Sequence, residues 1–353
     1  MKKRIFSFLW MVMLIPSFYV NALPQHDLIT PDNLFSKTKP QCVGLYVVDV
    51  PESFKNDRNK ARYDDFEIKS QLISPSVFKQ RIALREQELN AEGHRSGYEV
   101  ENLPFIKEII TLPNDKGVIF DRNSPYDDDS GRVLEAHIYI HNTAFIIETD
   151  IVDLSNPNHK ERKYINAGLT EAQLTNKPAK LAALRSLISR LSGRLEHEIP
   201  AEKGVCIPNG FIADDNKEHE IVTGFNYENN DFLFSLINDN TVIVDAGDTL
   251  FGRSNEMNEV LKKAHMETIK KEALTLHGIP AEKWLFRDIE LHKQKGSQVY
   301  FILYANEAVA TAIKPVVRFN LHNQYRQTRY SETQMIEIGN RLINSLRYKP
   351  NAF

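Results

Sequence analysis

Cysteine is scarce in this chain: Cys42 and Cys206 are the only two, and there are only two tryptophans. So few thiols, with no clustered histidines beside acids, exclude a structural zinc ribbon or finger. No Gly-x-Ser-x-Gly elbow is present, which removes the usual strand-to-helix serine nucleophile. Gly252-Arg253-Ser254-Asn255-Glu256 begins like one but lacks the second glycine, so Ser254 reads as a helix N-cap. No glycine-rich phosphate cradle occurs. Excess positive charge is missing too, with 44 basic against 47 acidic residues. A mildly acidic chain is not built to track nucleic acid, and no basic run suits an anionic lipid surface. Beyond the first 22 residues no stretch is long and apolar enough to cross a membrane.

What is present begins with an address. Lys2, Lys3 and Arg4 precede an apolar run from Ile5 to Ile15, and Val20-Asn21-Ala22 is a small-residue cleavage site. This is the layout of a secretory signal peptide, expected to be cut between Ala22 and Leu23. The mature chain is then expected in an envelope or extracellular space. It leaves without three of its basic residues, and so more acidic than the formal charge of -3. Both cysteines survive processing. A bridge between them would close a loop of roughly 160 residues, worth about 4–5 kcal/mol in the chain-entropy model. Two separately buried thiols fit the sequence equally well.

The chain reads as an approximate tandem repeat. Cys42-Val43-Gly44-Leu45-Tyr46-Val47-Val48-Asp49-Val50-Pro51 reads as one apolar strand stopped by proline, and Cys206-Ile207-Pro208-Asn209-Gly210-Phe211-Ile212-Ala213-Asp214 as its counterpart. Alternating strands follow each. Phe66, Ile68, Ser70 and Leu72 share one face, as do Ile221, Thr223, Phe225 and Tyr227. A hairpin turn at Glu228-Asn229-Asn230 leads to a further strand over 231–238. A helix comes next, marked by Phe78, Ile82 and Leu89 in the first half. In the second it is marked by Met257, Val260, Leu261, Ala264 and Thr268, ended by Gly278 and Pro280. The strands 134–140 and 143–152 pair around His141-Asn142, with 298–305 and 316–321 as counterparts. Each half closes on an amphipathic helix, carrying Leu184, Leu187, Ile188, Leu191 and Leu195, then Met335, Ile338, Gly339, Leu342 and Leu346. The expected fold is α+β: two related domains, each a mainly antiparallel sheet packed with helices. The divisions are a signal peptide over 1–22, a first domain over 23–200 and a second over 201–353, joined by a short linker near Ile199-Gly204.

Candidate chemistry is thin. His137 and His141 have the spacing of a helical zinc pair, but the local sequence is β-like. Four residues of strand span roughly 13 Å, too far to share one ion. They read as two surface histidines on one sheet face. Asp127-Asp128-Asp129 lacks the alternating ligands of a calcium loop and reads as solvated. Asp245-Ala246-Gly247-Asp248 reads as a turn. No catalytic, metal or cofactor residues are therefore assigned.

The two cysteine segments resemble the opening strands of the two domains of immunity proteins of bacterial type VI secretion, in the Tle-cognate class that neutralises phospholipase effectors. Cys42, Gly44, Asp49 and Pro51 carry the resemblance in the first half; Cys206, Gly210 and Phe211 carry it in the second. Pro208-Asn209 stands where a small, glycine-rich pair is expected. The plan extends over most of the mature chain. The resemblance implies a periplasmic protein whose two domains grip a lipase toxin. It would occlude the active site or lid without turnover or cofactor. The partner is then an effector protein, not nucleic acid. Two other readings stay open: an envelope hydrolase seeded by His137, His141 and 127–129, and a periplasmic solute-binding module using an interdomain cleft.

Overall fold

A computed structural model describes residues 29–94, 102–125, 130–154, 170, 173, 175–242, 244–245, 247–290, 298–323 and 326–353. The leader, with Ala22 and Leu23, lies outside the described residues, as do Asp127 to Asp129.

The first half opens with helix α1 (Pro31–Leu34), followed by β1 (Thr38–Val43), β2 (Tyr46–Pro51), β3 (Lys55–Asn56), β4 (Lys60–Tyr63) and β5 (Phe66–Leu72). Helix α2 (Pro75–Glu92) precedes β6 (Ile106–Thr111), β7 (Gly117–Asn123), β8 (Gly131–Ile140) and β9 (Thr143–Val152). Helix α3 (Lys177–Arg190) and β10 (Leu191–Gly193) close it. The second half repeats the plan: β11 (Gly204–Ile207), β12 (Gly210–Ala213), β13 (Ile221–Glu228), β14 (Leu233–Asp239) and α4 (Ser254–Lys263). Then come β15 (Met266–Leu276), β16 (Ile279–Asp288), β17 (Val299–Ala305), β18 (Val316–His322), α5 (Glu332–Asn344) and β19 (Arg347–Tyr348).

The expected α+β class with antiparallel sheets is what the chain adopts. The large sheets of the two halves meet edge to edge. Strand β4 pairs antiparallel with β13, from Tyr63 opposite Ile221 to Lys60 opposite Gly224. Outward from that junction run β5, β9, β8, β7 and β6 on one side, and β14, β18, β17, β16 and β15 on the other. Matching order on both sides makes the molecule a pseudo-dimer within one chain. One apolar core runs through both halves, from Ile147 and Leu187 in the first to Phe301 and Leu342 in the second.

The halves also exchange their last strands. Strand β10 of the first half adds to the second half's β12, and β19 of the second half adds to the first half's β2. Each exchanged strand follows directly on a closing helix, so helix packing and strand exchange are coupled.

Several expected elements fall differently. The stretch from Cys42 to Pro51 is a tight β1–β2 hairpin, turning at Gly44-Leu45, and not one strand. Gly44 sits at φ +60°, and a Cβ there would fall 2.5 Å from the Asn238 side chain. The second cysteine segment is likewise a hairpin, with Pro208-Asn209 as its two-residue turn. Pro208-Asn209 thus occupies the place of Gly44-Leu45, and each cysteine lies two residues before its turn. Helix α4 stops at Lys263, because His265 takes φ 54° and β15 then pairs along β16. Thr268 is therefore strand, and Gly278 shapes the β15–β16 hairpin turn instead of capping a helix. Arg253 holds the α4 cap position and Ser254 is the first helical residue, so Ser254 is not the N-cap. Helix α3 ends at Arg190, leaving Leu191 to begin β10 and Leu195 exposed. Leu72 is also exposed, at the outer end of its alternating face.

Candidate functional site

The two hairpins meet where the expected motif residues lie. Cys42 and Cys206 are bridged, with Cα atoms 5.8 Å apart. Gly44 and Cys206 exchange backbone hydrogen bonds of 3.0 and 2.9 Å beside the bridge. Phe211 packs on the two sulfurs in a small buried cluster. Gly210 is backed by Phe145, whose ring a Cβ would approach to 2.7 Å. Asp49 holds the exchanged strand, accepting from Arg347 at 3.0 and 3.2 Å. Pro51 ends β2. These residues form a scaffold at the seam.

Arg194 completes the seam and has no signal in the sequence. It is buried, and burial lowers its pKa to about 10. Its guanidinium donates to six carbonyls: Gly210 and Cys42 at 2.9 Å, Ile207 at 3.3 Å, Leu195 and Glu196 at 2.9 Å, and Glu198 at 3.2 Å. One cation thereby pins both hairpins and the segment linking the halves. No local motif announces such a role, since each acceptor is backbone.

His137 is buried, not a surface histidine. Its Nε2 lies 2.7 Å from the Glu135 carboxylate. Glu135 also accepts from Arg85 at 2.7 and 2.9 Å and from Arg122 at 2.5 Å. Burial disfavours the Glu135 charge, but bonds from Arg85, His137 and Arg122 outweigh it and hold the carboxyl well below its usual range. His141 is instead exposed in the β8–β9 turn at φ 47°. The strand pairing that separates them gives His137 a structural task and leaves His141 in solvent. Glu67, Glu148 and Glu135 stand side by side across β5, β9 and β8. Arg122 and Lys69 neutralise Glu148 at 3.1 and 3.0 Å. Glu67 and Glu148, with Lys69, Arg85 and Arg122, line a charged cleft of about 660 Å³ under α2.

A larger cleft, of about 1100 Å³, joins both halves. Ile29, Asn33 and Lys55 line it from the first, and Glu228 to Asp231, Arg326, Arg329 and Tyr330 from the second. Arg326 bonds Glu228 at 2.9 Å and the Asn229 carbonyl, while Arg329 pairs Asp231 at 3.4 Å. Tyr330 packs on Phe232 with ring centroids 5.4 Å apart. The two arginines are thus each held by an acid and the tyrosine by a ring contact. Asp245 and Asp248 form a turn, closed by a 2.8 Å backbone bond. Among the described residues, no group of three or more His, Cys, Asp or Glu could hold a metal ion. No described helix is long and apolar enough to cross a membrane.

The model of the Tle cognate immunity protein 4 N-terminal domain matches residues 39–194, and that of its C-terminal domain matches 198–351. The chain belongs to this family. Solved structures of similar fold accord with it. The apo immunity protein TplEi of the T6SS from Pseudomonas aeruginosa aligns with a TM-score of 0.66 at 17% identity, covering 89% of this chain and 97% of that one. The Tle4–Tli4 complex aligns with a TM-score of 0.65 at 17% identity, covering 89% and 98%. TplEi complexed with "L" peptide aligns at 0.60 and 16% identity, with 89% and 98% covered. No curated protein matches the chain. The two family models meet within 195–197, beside Arg194, where the linking segment crosses the seam.

Proposed function

We propose that this member of the Tle cognate immunity protein 4 family binds a cognate Tle phospholipase effector and inhibits it without turnover. The match of both halves to the two domain models carries this reading. A secretory leader cut between Ala22 and Leu23 would deliver the protein to the periplasm, where such an effector would meet lipid. The two halves, 23–200 and 201–353, hold the partner together, with the cysteine motif residues serving as scaffold. The cleft carrying Arg326, Arg329 and Tyr330 is the contact we assign to the effector. It spans both halves, and its arginines are already ordered, which lowers the entropic cost of binding. Inhibition follows from burying a standard interface of about 1,600 Å², centred on a few such anchors, over the active site or lid.

Titration of residues 23–353 into the purified effector, with phospholipid hydrolysis as readout, tests this. Saturation of inhibition at one equivalent supports it; full hydrolysis at excess immunity protein refutes it.

A further inference from the structure

Strand β16 carries a lysine where its alternation calls for an apolar side chain. Ala281 and Leu285 flank Lys283 on the same strand face, and both belong to the main apolar core. Lys283 itself is only 5% exposed. Lysine is almost never buried so far without a partner that accounts for it. Its Nζ lies 5.6 Å from the centroid of the buried Phe301 ring. Gly339 of α5 packs on that same ring, where a Cβ would come within 2.5 Å.

Two groups meet the amine. Glu272 stands directly opposite Lys283 in the β15–β16 pairing, and its Oε2 lies 2.8 Å from Nζ. Asn340, next to Gly339 in α5, places its Oδ1 2.9 Å from the same Nζ. The carbonyl carbon of Asn340 is one bond beyond that oxygen. Bonds from Lys283 and from the exposed Lys270 hold the Glu272 carboxyl below its usual range, so it stands ionised as a base. An amine, an amide carbonyl and a carboxylate are the nucleophile, electrophile and proton carrier of an acyl transfer. Here a strand pair and a helix hold them within hydrogen-bond distance, and the surrounding core keeps water from competing for the carbonyl.

We propose that Lys283 and Asn340 join in an isopeptide bond formed by the folded chain itself, with Glu272 carrying the proton. Glu272 takes a proton from the Lys283 ammonium, and the freed Nζ lone pair attacks Asn340 Cγ. The Nζ–Cγ bond forms and the Cγ–Nδ2 bond breaks. The two protons that Nζ has lost go to Nδ2, which leaves as ammonium and returns Glu272 to its carboxylate. One ammonium is consumed and one released, so charge is conserved and no co-reactant is needed. The bond ties β16 to α5 across 57 residues of sequence. Helix α5 leads into β19, the strand lent to the first half, so the link fastens that exchange at its root. A cross-link between distant residues also restricts the unfolded chain.

Mass spectrometry of the full mature chain tests this. The intact protein is expected to be lighter than its sequence, with the disulfide allowed for, by the mass of one ammonia. Tryptic digestion is expected to yield a branched peptide joining the Lys283 and Asn340 segments, with no cleavage after Lys283. Glu272→Gln and, independently, Asn340→Ala are expected to lack the branched peptide and to keep the mass of their sequences. An intact natural protein at its sequence mass, cut by trypsin after Lys283, would overturn the proposal and leave Lys283 an ammonium held by Glu272 and Asn340. Loss of ammonia without the branched peptide would overturn it too, since cyclisation of an asparagine such as Asn209, which precedes Gly210, gives the same mass. A branched peptide as abundant in Glu272→Gln as in the natural protein would overturn the role given to Glu272. The natural chain alone decides whether the bond exists, so the result depends neither on a variant folding nor on effector binding.

Discussion

At the scale of residues, Arg194 and Glu135 show charge used as mortar. Arg194 is a buried cation balanced by six carbonyls, so its loss strands several buried acceptors at once. Arg194→Met is expected to cost about 3 kcal/mol or more of stability, measured by urea unfolding. Lysine should rescue little, because one ammonium cannot reach acceptors arranged around a planar fork. Glu135 makes a prediction about pH. Its folded pKa lies below its ordinary value of 4.5. Its stabilisation is therefore complete above about pH 4.5 and is lost progressively as pH falls toward the depressed folded value. Glu135→Gln should flatten the acid limb of a stability-versus-pH curve between pH 5 and 2. An unchanged acid limb would show that other carboxylates control it. Neither residue was legible as a site in the sequence. Arg194 looks like any surface arginine after a helix, and Glu135 sits in an alternating strand whose wetter face is covered by α2. His137 misleads for the same reason, since period-2 alternation shows which side chains share a face and not what packs on it.

At the scale of elements, the local signals that succeeded were those with short-range causes. The β8–β9 hairpin was readable because two alternating runs flank His141-Asn142, and both turn residues indeed take positive φ. The β13–β14 hairpin and the stripe on α5 were readable for similar reasons. The failures come from long-range pairing. Met257, Val260, Leu261 and Ala264 carry a helical spacing that continues by coincidence to Thr268, but partnership with β16 turns residues from Met266 onward into strand. The exchange of β10 and β19 left no trace, since two or three residues pair with a strand far away in sequence. That exchange can be tested at Tyr348. Its ring stacks on Tyr46 at 4.9 Å, and Asn306 donates to both hydroxyls at 2.9 and 2.8 Å. Tyr348→Ala should destabilise the fold by about 2 kcal/mol, because it removes a large packed ring and a hydrogen bond. Arg347→Ala, which breaks a half-exposed pair with Asp49, should cost less than about 1 kcal/mol. Equal effects would argue that β19 is held by charge and not by packing.

At the scale of the whole molecule, three devices oppose separation of the halves: the β4–β13 junction, the exchanged strands and the disulfide. The bridge spans 164 residues of sequence. Reduction should therefore lower stability by about 4–5 kcal/mol through the entropy of the unfolded chain, seen as a lower Tm in dithiothreitol. Cys42→Ser with Cys206→Ser should behave like the reduced protein and no longer respond to reductant. The tandem plan and α+β class could be read from the sequence because the two halves repeat their strand and helix order. The way the halves join could not, since edge-to-edge pairing of β4 with β13 has no local signature. That joining sets the large cleft between Asn33 and Lys55 on one side and Arg326 and Arg329 on the other. Replacing the exposed Arg329 with alanine should weaken effector binding by roughly tenfold, read by titration of the folded variant, if the cleft is an anchor of the interface.

The central claim is inhibition by binding, and one titration tests it most directly. Purified residues 23–353 are added stepwise to a fixed concentration of the cognate Tle effector, and phospholipid hydrolysis is followed at each step. A linear fall in activity reaching zero at one equivalent is the expected result. Undiminished hydrolysis with a large excess of folded, disulfide-bonded protein would contradict it.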